Sequence, residues 1–163
     1  MRRCGGYTFI EILVTVLIMG VLAAFAVPAY RNASEVAKAE DGLTLLKTIG
    51  NANRMFAADH GGNYAGEWRL LSSCNEGACD GSTHYCQLIR CKYVQPRDWD
   101  NLPWQVHIAK PSAVGDCTPW LPPGPYVACA NRKNANGGAN VTDWAYSMNA
   151  DGVITAYHGA PEP

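Results

Sequence analysis

The first pattern in the chain is an apolar run over residues 9–27, in which Glu11 is the only strongly polar side chain. A helix that crosses a membrane needs about 20 such residues, so the run is long enough to span one. A carboxylate at bilayer depth costs roughly 2.5 to 3.5 kcal/mol on insertion scales. The sequence therefore predicts a membrane helix in which Glu11 needs a polar or charged partner.

The charges on either side of this run predict its orientation. Arg2 and Arg3 precede it, and the next cation, Arg31, follows Pro28. Lys and Arg are in excess on the cytoplasmic side of membrane helices. We therefore expect the N-terminus to lie in the cytoplasm and everything after Tyr30 to be exported.

Beyond Pro28 the helical pattern continues but becomes one-sided. Apolar residues recur at spacings of three, four or seven, and charged residues lie mostly elsewhere around the helix. The predicted apolar stripe consists of Val36, Ala39, Leu43, Leu46, Ile49, Ala52 and Phe56. Gly61 and Gly62 end the pattern, so one helix over residues 8–59 is expected, about 75 Å long at 1.5 Å per residue. We expect a small domain to fold back on the stripe, because about two heptads are short for a coiled coil.

From Gly61 onward, short strand-like runs replace the helical period. Runs at 104–109 and 126–130 have strand character, and the clearest hairpin joins 144–148 to 153–157. The turn between them, Asn149 to Gly152, has the residues that favour tight turns. A long helix followed by a small antiparallel sheet is an α+β arrangement.

The stretch GGYTFIEILVTVLIMGVLAAFAVPAY resembles the N-terminus of type IV pilins and of type II secretion pseudopilins. The resemblance implies a basic leader, residues 1–6, that a prepilin peptidase removes after Gly6. Tyr7 is then the N-methylated new N-terminus and Glu11 the assembly glutamate. Gly20 and Pro28 also match, and the family implies that the segment between them can stretch on assembly. The alternative is a tolerated kink with no role in assembly. The implied domains are a transmembrane and assembly helix at 7–30, an amphipathic half of the same helix at 31–60, and a cysteine-rich β head at 61–163.

Cleavage after Gly6 suggests a partner for Glu11. The new amine of Tyr7 is positive and lies one helical turn away, and the two opposite charges offset one another in a low dielectric. Within one chain they are poorly placed to satisfy each other fully. We therefore expect the Glu11 of a neighbouring subunit to meet this amine and to set the packing register.

Two other interpretations of the N-terminus compete with this one. Ala24, Phe25 and Ala26 have the small-x-small form of a signal-peptidase site, which would place the mature N-terminus at Val27. An unprocessed signal anchor is the other. Both leave Glu11 unexplained, and the helical pattern continues past the signal-peptidase site.

The cysteines agree with leader removal. Cys4 would leave with the leader, and an even set of six remains in the exported part, where thiols oxidise. Because local pairs close first, we expect the bonds Cys74–Cys79, Cys86–Cys91 and Cys117–Cys129, with crossed pairing such as Cys79–Cys86 open. A zinc site on the four clustered cysteines is the competing hypothesis, although their spacing is at the edge of that class.

The leading functional hypothesis is a structural subunit, not an enzyme, that polymerises through its N-terminal helix into a pilus-like or secretion filament. Its implied partners are other pilin or pseudopilin subunits, the prepilin peptidase and methylase, the inner-membrane assembly machinery and the inner membrane itself. The expected location is the bacterial inner membrane as a single-pass precursor, and afterwards a periplasm-spanning or cell-surface filament. The alternative is a secreted or membrane-anchored disulfide-rich binding module.

Other chemistry has little support in the sequence. The net charge of -1, with dispersed cations, gives no reason to expect nucleic-acid binding. No cofactor is expected. Asn149 and Asp151 in the hairpin turn could join a calcium site, but the repeated acidic ligands of such sites are missing, and a structural turn is favoured.

Overall fold

The computed structural model of the chain describes residues 7–66, 69–70, 74, 77–111, 117, 121–133 and 143–163. The chain divides into two compact units, with the boundary between Lys38 and Ala39. The first unit contains the N-terminal part of the long helix. The second contains the rest of that helix and the strands that the structure describes.

The predicted long helix is confirmed as α1, Phe9–Asp59, with Pro28 inside it. Two glycines terminate it, as expected: Gly61 and Gly62 have φ of 65° and 87°, a left-handed conformation that glycine adopts without a Cβ clash. The N–H of Gly62 donates to the carbonyl of Ala57 at 2.7 Å, which satisfies one of the last carbonyls of the helix.

The α+β fold class is also confirmed. In the described part of the chain, five antiparallel strands follow α1 and pair in sequence order. They are β1 Arg69–Leu70, β2 Trp104–Ile108, β3 Tyr126–Arg132, β4 Ala145–Asn149 and β5 Ile154–Tyr157, and a short helix, α2 Gln87–Arg90, lies between β1 and β2. The four strand runs seen in the sequence became β2 to β5. The pattern did not predict β1 and α2, because two and four residues are too few to show a period.

In the second unit the apolar stripe of α1 is buried against one face of the sheet. Of the predicted stripe, the residues from Ala39 to Phe56 are all buried. Val36, in the first unit, is 50% exposed, so its assignment to the stripe was wrong. Helix and sheet approach closely at two glycines. A Cβ at Gly42 would lie 2.4 Å from the Trp104 ring, and one at Gly50 would lie 2.3 Å from the Met148 sulfur.

One polar side chain is buried inside this apolar interface. The carboxamide of Asn53 is fully buried, and its Oδ1 accepts from the N–H of Ala65 at 2.9 Å. Its Nδ2 donates towards three carbonyls, those of Ala65, Ala109 and Val127, at 2.9 to 3.0 Å. Asn53 therefore ties α1 to the chain that follows it, to the residue after β2 and to β3.

The described cysteines form three disulfides, and two of the predicted pairings were wrong. Cys74 bonds Cys86 and Cys79 bonds Cys91, whereas Cys117–Cys129 is confirmed. The zinc hypothesis does not fit the four clustered cysteines, because their sulfurs are consumed in these two bonds.

The short helix α2 explains the correction. Cys86 and Cys91 cap its two ends. Five residue steps along the helix separate them by about 7.5 Å, which is too far for a disulfide between them. Each cysteine instead bonds back to the preceding loop. Asp80 reinforces that loop on α2, since its carboxylate accepts from the side-chain amide of Gln87.

Candidate assembly and processing site

Thr8 and Glu11 form a reciprocal cap at the start of α1. The N–H and the hydroxyl of Thr8 both donate to Oε2 of Glu11, each at 2.7 Å. In return, the N–H of Glu11 points to the hydroxyl of Thr8 at 3.4 Å. Thr8 precedes the first helical residue and Glu11 is the third, the arrangement of a capping box. Glu11 therefore has a partner within its own chain, which the sequence argument did not foresee.

This cap still leaves part of the carboxylate available. Both bonds from Thr8 go to Oε2, and no bond to Oε1 is found within the described residues. Glu11 is exposed in the single chain. Tyr7, the predicted mature N-terminus, is 86% exposed. Gly6, after which cleavage is predicted, lies outside the described residues.

The apolar part of α1 is the surface on which the assembly hypothesis depends. In the part of the chain that the structure describes, α1 is the one helix long and apolar enough to cross a membrane. Its large apolar side chains from Phe9 to Val27 are exposed in the single chain. An apolar surface of this length has to be covered by lipid or by other helices.

Gly20 and Pro28 are both inside α1, and neither role predicted for them is tested by the structure. A Cβ at Gly20 would meet nothing within 4 Å, so no packing in the single chain requires glycine there. Pro28 cannot donate the backbone hydrogen bond expected one turn back, which weakens the helix locally. Their proposed part in assembly stays a prediction.

The turn at Asn149 and Asp151 is built by hydrogen bonds within the hairpin. Oδ1 of Asn149 accepts from the N–H of Val153 at 2.8 Å, and its carbonyl accepts from the N–H of Gly152 at 3.0 Å. Gly152 has a φ of 88°, as such turns require. No group of three His, Cys, Asp or Glu residues placed to hold a metal ion is found in the described part of the chain. The calcium suggestion stays an untested prediction.

Comparison with known sequences identifies the N-terminal segment. Residues 1–27 match the family model of the prokaryotic N-terminal methylation motif. The chain therefore begins with a prepilin-type motif, as the sequence resemblance predicted, and the helix that carries the Thr8–Glu11 cap starts inside it.

The relatives of the chain are filament and secretion proteins. It is 45% identical over 76 residues to the type IV major fimbrial protein FimA of Dichelobacter nodosus, a match that covers 47% of this chain and 37% of that protein. It is 35% identical over 60 residues to the type II secretion system core protein G of Vibrio cholerae, covering 37% of this chain and 41% of that protein. The chain thus spans well under half the length of these curated relatives. No solved structure matches it.

Sequence reasoning missed two of the features described above, the buried Asn53 and the cap that Thr8 forms with Glu11. Asn53 was overlooked because one polar residue inside an amphipathic pattern gives no sign of being buried. The Thr8–Glu11 cap had a recognisable signal, since T-x-x-E directly before an apolar run is the sequence form of a capping box.

Proposed function

We propose that the chain is a filament subunit of the type IV pilin and pseudopilin class, and that its N-terminal helix is the assembly element. The observation that carries the proposal is the methylation motif over residues 1–27, which includes the exposed apolar part of α1 with one carboxylate near its start. The relatives named above, a fimbrial protein and a secretion core protein, support the same class.

The processing step gives the carboxylate its second partner. Hydrolysis of the peptide bond after Gly6 adds water across that bond and leaves a carboxylate on Gly6 and an amine on Tyr7. At neutral pH the amine takes up a proton. A buried ammonium without a counter-ion is costly, so the amine favours a site with a carboxylate. Glu11 of an adjacent subunit supplies one, through the oxygen that the cap leaves open.

The cap also makes insertion of a single chain tolerable. The first turn of any helix has N–H groups without partners, and the positive end of the helix dipole lies there. Here Oε2 of Glu11 accepts from the N–H and from the hydroxyl of Thr8. The carboxylate therefore enters the apolar phase already hydrogen-bonded. In this proposal Glu11 serves two stages: a cap within its own chain before assembly, and a counter-ion for a neighbour afterwards.

The finer parts of the proposal are the processing enzymes, the inner-membrane assembly machinery and the passage from inner membrane to filament. They rest on the motif and on the orientation expected from Arg2 and Arg3. No catalytic role is assigned to the chain. Pilus and secretion pseudopilus are both consistent with the relatives.

Mass spectrometry of the mature N-terminus tests the proposal. Purified protein from a strain with a prepilin peptidase should give an N-terminal peptide that begins at Tyr7 and carries an N-methyl group. The chain in a strain without that peptidase is the matched control and should begin at Met1. A peptide that begins at Val27 would show signal-peptidase cleavage and would overturn the proposal.

A further inference from the structure

The second half of α1 has an exposed face that the sheet does not cover. Within the second unit, the exposed residues of α1 recur with the helical period, opposite the buried stripe. They are Glu40, Asp41, Thr44, Lys47, Thr48, Asn51, Arg54, Met55, Ala58 and Asp59. This exposed face is distinct from the apolar membrane segment, and the N-terminal motif does not reach it.

Charged residues lie along both sides of this face. Asp41 and Lys47 are six residues apart, which is about 120° around a helix and about 9 Å along it. Arg54 lies about 20° from Lys47, on the same side. We call Lys47 and Arg54 the basic edge. Glu40 lies on the same side, about 20° from Lys47 around the helix and about 10 Å towards its N-terminal end. The acidic edge consists of Asp41 and Asp59 with Thr48 and Met55 between them.

These charges have few partners within the chain. Among the described residues the recorded ion pair is Lys38 with Glu35, outside the second unit. On the acidic edge, Asp59 accepts from the hydroxyl of Tyr93. On the basic edge, Arg54 donates to the side-chain oxygen of Asn51 at 3.3 Å, a neutral partner. Asp41 and Lys47 are exposed, and each is available for an ion pair with another molecule.

We propose that the basic edge of one copy of this chain contacts the acidic edge of the next copy, with Lys47 opposite Asp41. The proposal rests on the filament function proposed above and names a second contact between the same subunits. Two different edges meeting head-to-tail form a heterologous interface, which generates open helical filaments. Because the two edges differ in charge, each subunit can use both at once, with one neighbour on either side.

The charge positions also select a displacement between parallel helices. When the second copy is displaced by six residues, about 9 Å, its Asp41 is level with Lys47 of the first, and its Thr48 is level with Arg54. Without displacement, Asp41 would lie only one residue, about 1.5 Å, along the axis from Glu40 of the neighbour, which is on the same side as Lys47, and like charges would repel. Charge complementarity of this kind suppresses wrong registers more than it adds affinity.

A charge-swap experiment tests the contact in cells that assemble the wild-type chain. Lys47→Asp and Asp41→Lys should each lower the yield of sheared filaments about tenfold, since each places like charges together. The double variant, Lys47→Asp with Asp41→Lys, should restore most of the yield. Lys92→Asp is the matched control, because it makes the same change in charge at an exposed residue outside this face.

Zero-length crosslinking checks the same contact without any substitution. A carbodiimide should join Lys47 to Asp41 in intact filaments, and filaments mixed from light and heavy isotope-labelled subunits should show that the bond is between chains. The two side chains leave one helix about 120° apart, so a bond within one chain is not expected.

The outcomes separate this contact from the filament proposal itself. A wild-type chain that is processed but never polymerises would overturn the filament function and this inference with it. Filaments in which both single variants assemble like wild type, or in which the double variant is no better than the single ones, would overturn the Lys47–Asp41 contact alone. Lys47 crosslinked only to other carboxylates would do the same.

Discussion

Asn53 of α1 holds both backbone groups of Ala65. Its Oδ1 accepts the N–H of Ala65 at 2.9 Å, and its Nδ2 donates to the carbonyl of Ala65 at 3.0 Å. The same nitrogen reaches the carbonyls of Ala109 and Val127. A single carboxamide thereby satisfies backbone groups from three separate parts of the second unit.

Removing this carboxamide should destabilise the second unit strongly. Asn53→Leu keeps the branching of the side chain but leaves the N–H of Ala65 and the carbonyls of Ala65 and Ala109 buried without this partner, at about 1 to 3 kcal/mol for each. We expect the free energy of unfolding to fall by at least about 3 kcal/mol. Denaturant unfolding in detergent solution, monitored by tryptophan fluorescence, measures this loss. Asn51→Leu, at an exposed position of the same helix, is the control and should change it by less than about 1 kcal/mol.

The aspartate variant sharpens the test. Asn53→Asp keeps an acceptor for the N–H of Ala65 but points a carboxylate oxygen at three carbonyl oxygens. It should be at least as destabilising as Asn53→Leu at neutral pH, because a buried charge without a donor is costlier than a missing bond. An Asn53→Asp protein as stable as wild type would mean that the carboxamide does not hold these segments together.

His107 on β2 should make the second unit sensitive to acid. Burial lowers the pKa of His107 from 6.5 to about 4, because the charged imidazolium is disfavoured inside the sheet layer. As the pH falls from 6.5 towards 4, His107 therefore binds a proton in the unfolded chain but stays mostly neutral in the folded chain. The stability contributed by the neutral ring is fully present above pH 6.5, and about 3 kcal/mol of it is lost by pH 4.

The test compares how the unfolding free energy changes with pH in two proteins. Unfolding free energies of wild type and His107→Gln should be taken at pH 7 and pH 4. Titrating carboxylates contribute to both proteins, so the change with pH should be smaller in His107→Gln by about 3 kcal/mol. An equal change in the two proteins would mean that His107 is protonated in the folded state over this range.

The strengths and gaps of sequence prediction here have physical causes. The stripe from Ala39 to Phe56 and the hairpin at Asn149 were predictable because each repeats a period over many residues. The disulfide pairing was not, since it depends on where α2 places Cys86 and Cys91, and a four-residue helix leaves no period. Val36 continues the period of the stripe, yet it belongs to the first unit and is exposed.

The disulfides should be reduced in an order set by their exposure. Cys79 is exposed in the folded chain, whereas Cys117 and Cys129 are both buried. A thiolate must reach the sulfur that it attacks, so mild reductant should open Cys79–Cys91 first and Cys117–Cys129 last. Timed alkylation followed by peptide mapping measures this order. All three bonds span 12 residues, so loop length gives no reason for a difference. Early reduction of Cys117–Cys129 would indicate that the structure burying these two sulfurs opens readily.

The last prediction separates the two roles of Glu11. Glu11→Val removes a charge from the apolar segment, so insertion should improve by up to about 3 kcal/mol and cleavage after Gly6 should persist. Assembly should nevertheless fail, because each incoming Tyr7 amine is buried without a counter-ion, at about 3 to 5 kcal/mol for each contact.

Two further variants distinguish the counter-ion from the cap. Glu11→Gln can still accept from Thr8, since glutamine serves in capping boxes, but it has no charge to offer a neighbour. Thr8→Val removes the hydroxyl, keeps the shape and leaves the carboxylate in place, at about 1 kcal/mol of helix capping. We therefore expect Glu11→Gln to assemble poorly and Thr8→Val to retain most of its filaments. Processed monomer and sheared filament should be measured in the same cells for each variant. If Thr8→Val fails while Glu11→Gln assembles like wild type, Glu11 acts through the cap within its own chain, and the amine of the neighbour has another partner.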